Sequence, residues 1–171
     1  MESSMRLVAL LTLLFACSVT GNAAESGPGE REIHAVIDQF RESIVTKDKE
    51  GFVSLFLHDR VTWQPVMSDA RYALSVKSDP EAAKVAYNPG DTPEKFIDGI
   101  VKSTAKIEET FSGIVIDSDG AAASVAFDFK FLSNGTVTNS GREYWLLVKT
   151  ATGWKIAAVT WSRNTPAKAS S

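Results

Sequence analysis

From residue 30 the apolar positions fall at helical spacing. Ile33, Val36, Ile37, Phe40 and Ile44 make one stripe, and Glu32, Asp38, Arg41 and Glu42 take the other face. This predicts a helix that stops near Thr46-Lys47. Asp48 stands where an N-cap belongs, ahead of a short second helix whose Phe52, Leu55 and Phe56 face inward. Val61-Thr62-Trp63-Gln64-Pro65-Val66 then reads as a strand, and Pro65, lacking an amide donor, places it at a sheet edge or strand end. Residues 67–92 show no sustained period and contain Asp79-Pro80 and Asn88-Pro89-Gly90, which predicts a long loop with one helical turn over 81–85. In a compact domain such a stretch is a lid, a binding loop or a surface insertion.

Asp91-Thr92-Pro93-Glu94 opens a third helix, with Thr92 as cap and Pro93 in the first turn, and Phe96, Ile97, Ile100, Val101 and Thr104 give it a buried side. The remainder is strand-like over 107–116, 121–132, 137–149 and 154–162, with Asp119-Gly120, Asn134-Gly135 and Thr152-Gly153 as turns. In the second of these strands Val125, Phe127, Phe129 and Phe131 point one way and Ser124, Ala126, Asp128 and Lys130 the other. Helices followed by an antiparallel meander predict an α+β domain with the helices packed on one face of the sheet.

Residues 7–17 form a short apolar run after Arg6, followed by the small residues Gly21, Ala23 and Ala24. Eleven helical residues reach about 16 Å, half of the roughly 30 Å needed to cross a bilayer. The run reads as a secretory signal peptide over 1–24, then a tether over 25–29, a domain over 30–163 and a disordered tail over 164–171. The expected location is periplasmic or secreted. Leu14-Phe15-Ala16-Cys17 resembles the lipobox of bacterial lipoproteins, so anchoring to a membrane through a lipidated Cys17 is the alternative, although Phe15 occupies a position where that motif has a small or β-branched residue.

The 171 residues carry 18 basic and 21 acidic side chains, one cysteine and two histidines, with 44% hydrophobic residues. One cysteine closes no intrachain disulfide, and the set is too poor for a closed zinc site. The chain also lacks the basic face of a nucleic-acid binder. No Walker or dinucleotide glycine pattern calls for a cofactor. Asp117-Ser118-Asp119-Gly120 lacks the later ligands of a calcium loop and reads as a hairpin turn, as does the formal sequon at Asn134.

The order of elements, the Leu55-to-Trp63 segment and the closing run from Gly153 to Ser162, with its Trp154-Lys155-Ile156 start, resemble the nuclear transport factor 2-like superfamily, with the closing run similar to its SnoaL-like and lumazine-binding-like bacterial branches. The resemblance implies a cone-shaped fold with a pocket between the concave sheet and the helices, and homodimers through the sheet. In its ketosteroid isomerase members a carboxylate base and a tyrosine act together. Here Gln64 and Phe40 stand at the matching positions, which argues against that activity.

The remaining chemistry rests on carboxylates and aromatics. Glu143 shares a strand face with Trp145 and Leu147, where desolvation would raise its pKa and suit it to act as a general acid or base; pairing with a cation on the outer face is the alternative. Asp128 falls on the outer face, while His34 and His58 fall on exposed positions. Phe40, Trp63, Gln64, Phe96, Trp145 and Trp161 are the expected pocket residues. Three readings stand: a cofactor-free protein that binds a small, mainly apolar or aromatic molecule; a SnoaL-like enzyme moving a proton on a carbonyl compound, with Glu143 as base and Gln64 or Trp63 orienting the substrate; and a structural homodimer partner with a collapsed cavity.

Overall fold

The structure, a computed structural model, describes Gly27 and residues 29–164. The expected leader and Cys17 lie outside the described residues, as do the expected tether apart from Gly27 and Gly29 and the expected tail apart from Asn164. Helix α1 (Glu30–Thr46) buries Ile33, Val36, Ile37, Phe40 and Ile44, the stripe that the sequence spacing marks. It ends as Lys47 turns left-handed at φ 59°. The Asp48 carboxylate accepts from the Gly51 amide at 2.9 Å and caps α2 (Lys49–Val53).

Strand β1 (Thr62–Met67) is an edge strand, as Pro65 requires, and pairs in parallel with β5 (Gly153–Arg163). The segment expected to be a loop instead holds a helix, α3 (Asp69–Ser78), and the expected turn over 81–85 is not helical. The Ser68 hydroxyl caps α3 by accepting from the Arg71 amide, and Ala70, Arg71, Ala73, Leu74 and Lys77 are good helix formers. None of its residues is fully buried, so it carries no apolar stripe for periodicity to reveal. Beyond it the chain returns alongside β1. The Met67 amide donates to the Lys84 carbonyl, and Gln64 Nε2 to the carbonyls of Pro65 and Ala86, which covers part of the open sheet edge.

Thr92 caps α4 (Pro93–Lys102) by accepting from the Lys95 amide at 3.1 Å. Ile97 and Ile100 are buried, but Val101 and Thr104 are exposed, against expectation. Thr104 lies past the helix end, and the five-residue α2 on which α4 packs leaves Val101 uncovered. Lys49 Nζ joins α2 to α4 through Glu94 at 2.9 Å and Asp98 at 2.8 Å, and these carboxylates raise its pKa to about 12.

The meander forms as expected from β2 (Ile107–Ser118), β3 (Ala122–Ser133), β4 (Thr136–Thr150) and β5, giving the order β1-β5-β4-β3-β2. Asn134 and Gly135, at φ 50° and 76°, make a tight hairpin turn, and Asp119 Oδ1 accepts from the Ala121 and Ala122 amides in another. A register break between Ser112 and Val115, with Gly113 at φ 62°, bends the sheet. Its concave face carries Val125, Phe127 and Phe129 into a core shared with α1. The result is an α+β cone in which helices close over a curved, mixed sheet.

Candidate functional site

Every strand of the sheet contributes to one cavity of about 370 Å³, a volume suited to a small molecule. Strand alternation places the side chains. Ile107, Glu109 and Phe111 share one face of β2, and Asn139, Glu143 and Trp145 share one face of β4, so both carboxylates turn inward. Phe40 enters from α1, Trp63 from β1, Phe96 from α4, Phe129 and Phe131 from β3, and Trp161 from β5. Trp63 lies 5.0 Å from Trp161 and 5.4 Å from Phe96 between ring centroids, so these three form a continuous aromatic wall.

The deep end is acidic. Glu143 is 4% exposed and Glu109 6%, and among the described residues neither forms an ion pair within 4 Å. Burial raises the pKa of Glu143 to about 7, partly offset by the hydrogen bond that Trp145 Nε1 donates to Glu143 Oε1 at 2.7 Å. Burial and then the charge of Glu143 push Glu109 well above the usual carboxylate range. Two such groups facing one apolar cavity can present a proton acceptor and a proton donor together near neutral pH.

The mouth is cationic. Lys95 from α4 and Arg163 from β5 line it with Asp91 and Thr92, all four open at least partly to solvent. Burial and the nearby charge of Arg71 lower the pKa of Arg163, while Asp91 opposes this, and the guanidinium keeps its charge. Asn139 Oδ1 and Arg71 Nε are shut off from solvent without a hydrogen-bond partner.

Of the residues expected in the pocket, Phe40, Trp63, Phe96, Trp161 and Glu143 come together around this cavity. Gln64 and Trp145 do not line it. The Gln64 amide is held by the carbonyls of Pro65 and Ala86, and Trp145, 1% exposed, lies deeper in the core, 4.8 Å from Phe40. Trp145 reaches the site only through its bond to Glu143. Glu109 escaped the sequence reading although the same alternation marks it, two residues from Ile107 and from Phe111. Asp128 lies on the outer face and pairs with Arg142 at 3.0 Å, and both histidines are exposed.

No protein-family profile matches the sequence, and no curated protein matches it. Solved structures do match. A nuclear transport factor 2-like superfamily protein from Salmonella enterica serovar Typhimurium is 24% identical, with a TM-score of 0.55 over 82% of this chain and 92% of its own. A protein from Streptomyces avermitilis, of the same family and provisionally named a dehydratase, is 18% identical, with a TM-score of 0.54 over 81% of this chain and 96% of its own. A nuclear transport factor 2-like protein from Pseudomonas putida is 11% identical, with a TM-score of 0.56 over 78% of this chain and 85% of its own. Helices closed over a curved five-stranded sheet, matched over most of the chain by these structures, give this protein the fold of the nuclear transport factor 2-like superfamily.

Proposed function

We propose that the cavity binds a small, mainly apolar or aromatic carbonyl compound and moves a proton on it without a cofactor. Glu143 acts as the base, and Glu109 donates a hydrogen bond or proton to the developing oxyanion. The observation that carries this reading is the presence of two buried carboxyl groups, without ion-pair partners, at the deep end of an aromatic cavity. Burying such groups costs stability unless they are neutralised or used, and groups perturbed this way concentrate at functional sites. The provisional dehydratase name of the Streptomyces avermitilis structure is consistent with proton-transfer chemistry.

The test follows deuterium entry at the carbon next to the carbonyl of cyclic and aryl ketones in deuterated buffer by proton NMR. Wild-type protein should accelerate exchange for at least one ketone, and E143Q should lose roughly a hundredfold or more of that acceleration. Exchange that E143Q leaves intact overturns the role of Glu143. Binding of a ketone without any exchange favours the second reading, a plain binding protein in which the carboxyl pair only anchors the ligand. That reading is favoured by the aromatic wall.

We also propose that the protein works in the periplasm or outside the cell after loss of its leader, and that it pairs with a second copy through the outer face of the sheet. Val115, Tyr144 and Leu146 are exposed there, with Ala126 between Val115 and Tyr144 in the register. Such an apolar row on a sheet face suits an interface.

A further inference from the structure

The cavity has two chemically different ends, and its mouth restricts what can enter. Lys95 and Arg163 line the opening, and Arg71 stands close enough to Arg163 to act on its charge. Among the described residues none of these three forms an ion pair within 4 Å. Asp91 is the one carboxylate lining the mouth beside them, and its Oδ1 already accepts from Asn88 Nδ2 at 3.0 Å. Two lining cations against one lining carboxylate leave the entrance net positive, and Arg71 adds positive charge beside Arg163, whereas the protein as a whole is net negative. Holding Lys95 and Arg163 together at one opening without an ion-pair partner for either is costly unless an anion joins them.

The geometry points to an organic anion as the occupant: a flat apolar body against Trp63, Phe96 and Trp161, with its anionic group at the mouth on Arg163 and Lys95. This rests on reading the cavity as a small-molecule site and adds the charge of the molecule. A carboxylate and a phosphate ester share the required chemistry, since a guanidinium binds either through two parallel hydrogen bonds. The molecule then enters with its uncharged end first. That end meets Glu109 and Glu143, while the anion stays at the solvent side, away from the carboxyl groups.

Tryptophan fluorescence of the whole protein, read during titration with 2-naphthoate, 2-naphthamide and 2-naphthyl phosphate at about pH 6 in low salt, tests this; naphthoate is ionised there. Wild-type protein should bind naphthoate roughly tenfold or more tightly than the neutral amide. In R163Q and in K95Q that ratio should fall toward one, and added salt should reduce it in the wild type. Tighter binding of the phosphate than of naphthoate supports the anionic site with phosphate esters as its source, and the reverse order supports carboxylic acids. Equal binding of naphthoate and amide, or a preference that survives in both variants, overturns the inference while leaving the cavity a ligand site. Absence of binding by all three probes overturns the cavity reading as well. Exposed Lys95 makes K95Q the variant least able to disturb folding, so a misfolded R163Q still leaves the inference open to refutation.

Discussion

Trp145 Nε1 donates to Glu143 Oε1 at 2.7 Å, from two residues along the same face of β4, and both side chains are closed to solvent. The bond favours the charged form of Glu143 against the opposing effect of burial. W145F removes the donor and keeps most of the ring. It should raise the Glu143 pKa further above about 7 and cost roughly 2–4 kcal/mol of stability. Denaturant unfolding measures the cost, and a shift of the exchange-rate pH profile to higher pH reports the pKa.

Stability should fall as pH rises across the neutral range. Glu143 binds its proton more tightly when folded, with a pKa raised from 4.5 to about 7, so its contribution is full below 4.5 and is lost as pH climbs through about 7. Glu109 acts in the same direction. The loss from Glu143 is on the order of 3 kcal/mol. Asp69, Asp98 and Asp119 have lowered pKa values and lose their stabilisation only as pH falls below the usual carboxylate range. E143Q and E109Q should each flatten the decline and raise the melting temperature at about pH 8 relative to wild type. Thermal unfolding across pH reads this, and a decline as steep in both variants as in wild type contradicts it.

A cap positions the mouth. Thr92 accepts from the Lys95 amide, and the turn it secures carries Lys95 and Phe96 to the cavity. T92A should cost about 1 kcal/mol and weaken binding of any cavity ligand, whereas T92S should restore both. Chemical unfolding and fluorescence titration measure the two effects.

Gly141 permits the close approach of β4 and β5 beside the site. A Cβ at that position would stand 2.0 Å from the Ser162 carbonyl oxygen, which is backbone and has no rotamer by which to move aside. G141A should therefore destabilise by on the order of 2 kcal/mol or more. Unfolding by urea checks this, and a change under about 0.5 kcal/mol contradicts it.

Local pattern reveals what local forces decide. Phe127 and Phe129 alternate with Asp128, and Asn134-Gly135 closes a hairpin, so the meander is legible in the residue pattern alone. Helix α3 is not, because its cap and residue propensities hold it without burying a stripe. The parallel pairing of β1 with β5 joins segments nearly 100 residues apart, and no periodic signal encodes it. At the site, alternation places Glu143 inward, and it applies equally to Glu109, whose flanking Ile107 and Phe111 are the available signal. Which inward aromatic touches the cavity and which lies beneath it depends on the depth of α1. Phe40 therefore lines the wall while Trp145 sits below it.

In the proposed function, Glu109 and Glu143 work as an acid–base pair inside the cavity. The most direct measurement is a pH titration of the glutamate side-chain carboxyl carbons by ¹³C NMR in wild type, E109Q and E143Q. Two resonances should titrate above the ordinary glutamate value of 4.5, each assigned by its loss in one variant, and E143Q should lower the pKa of Glu109 by removing the neighbouring charge. Ordinary titration of both groups near 4.5, with neither variant moving the other group, would rule out the acid–base pair.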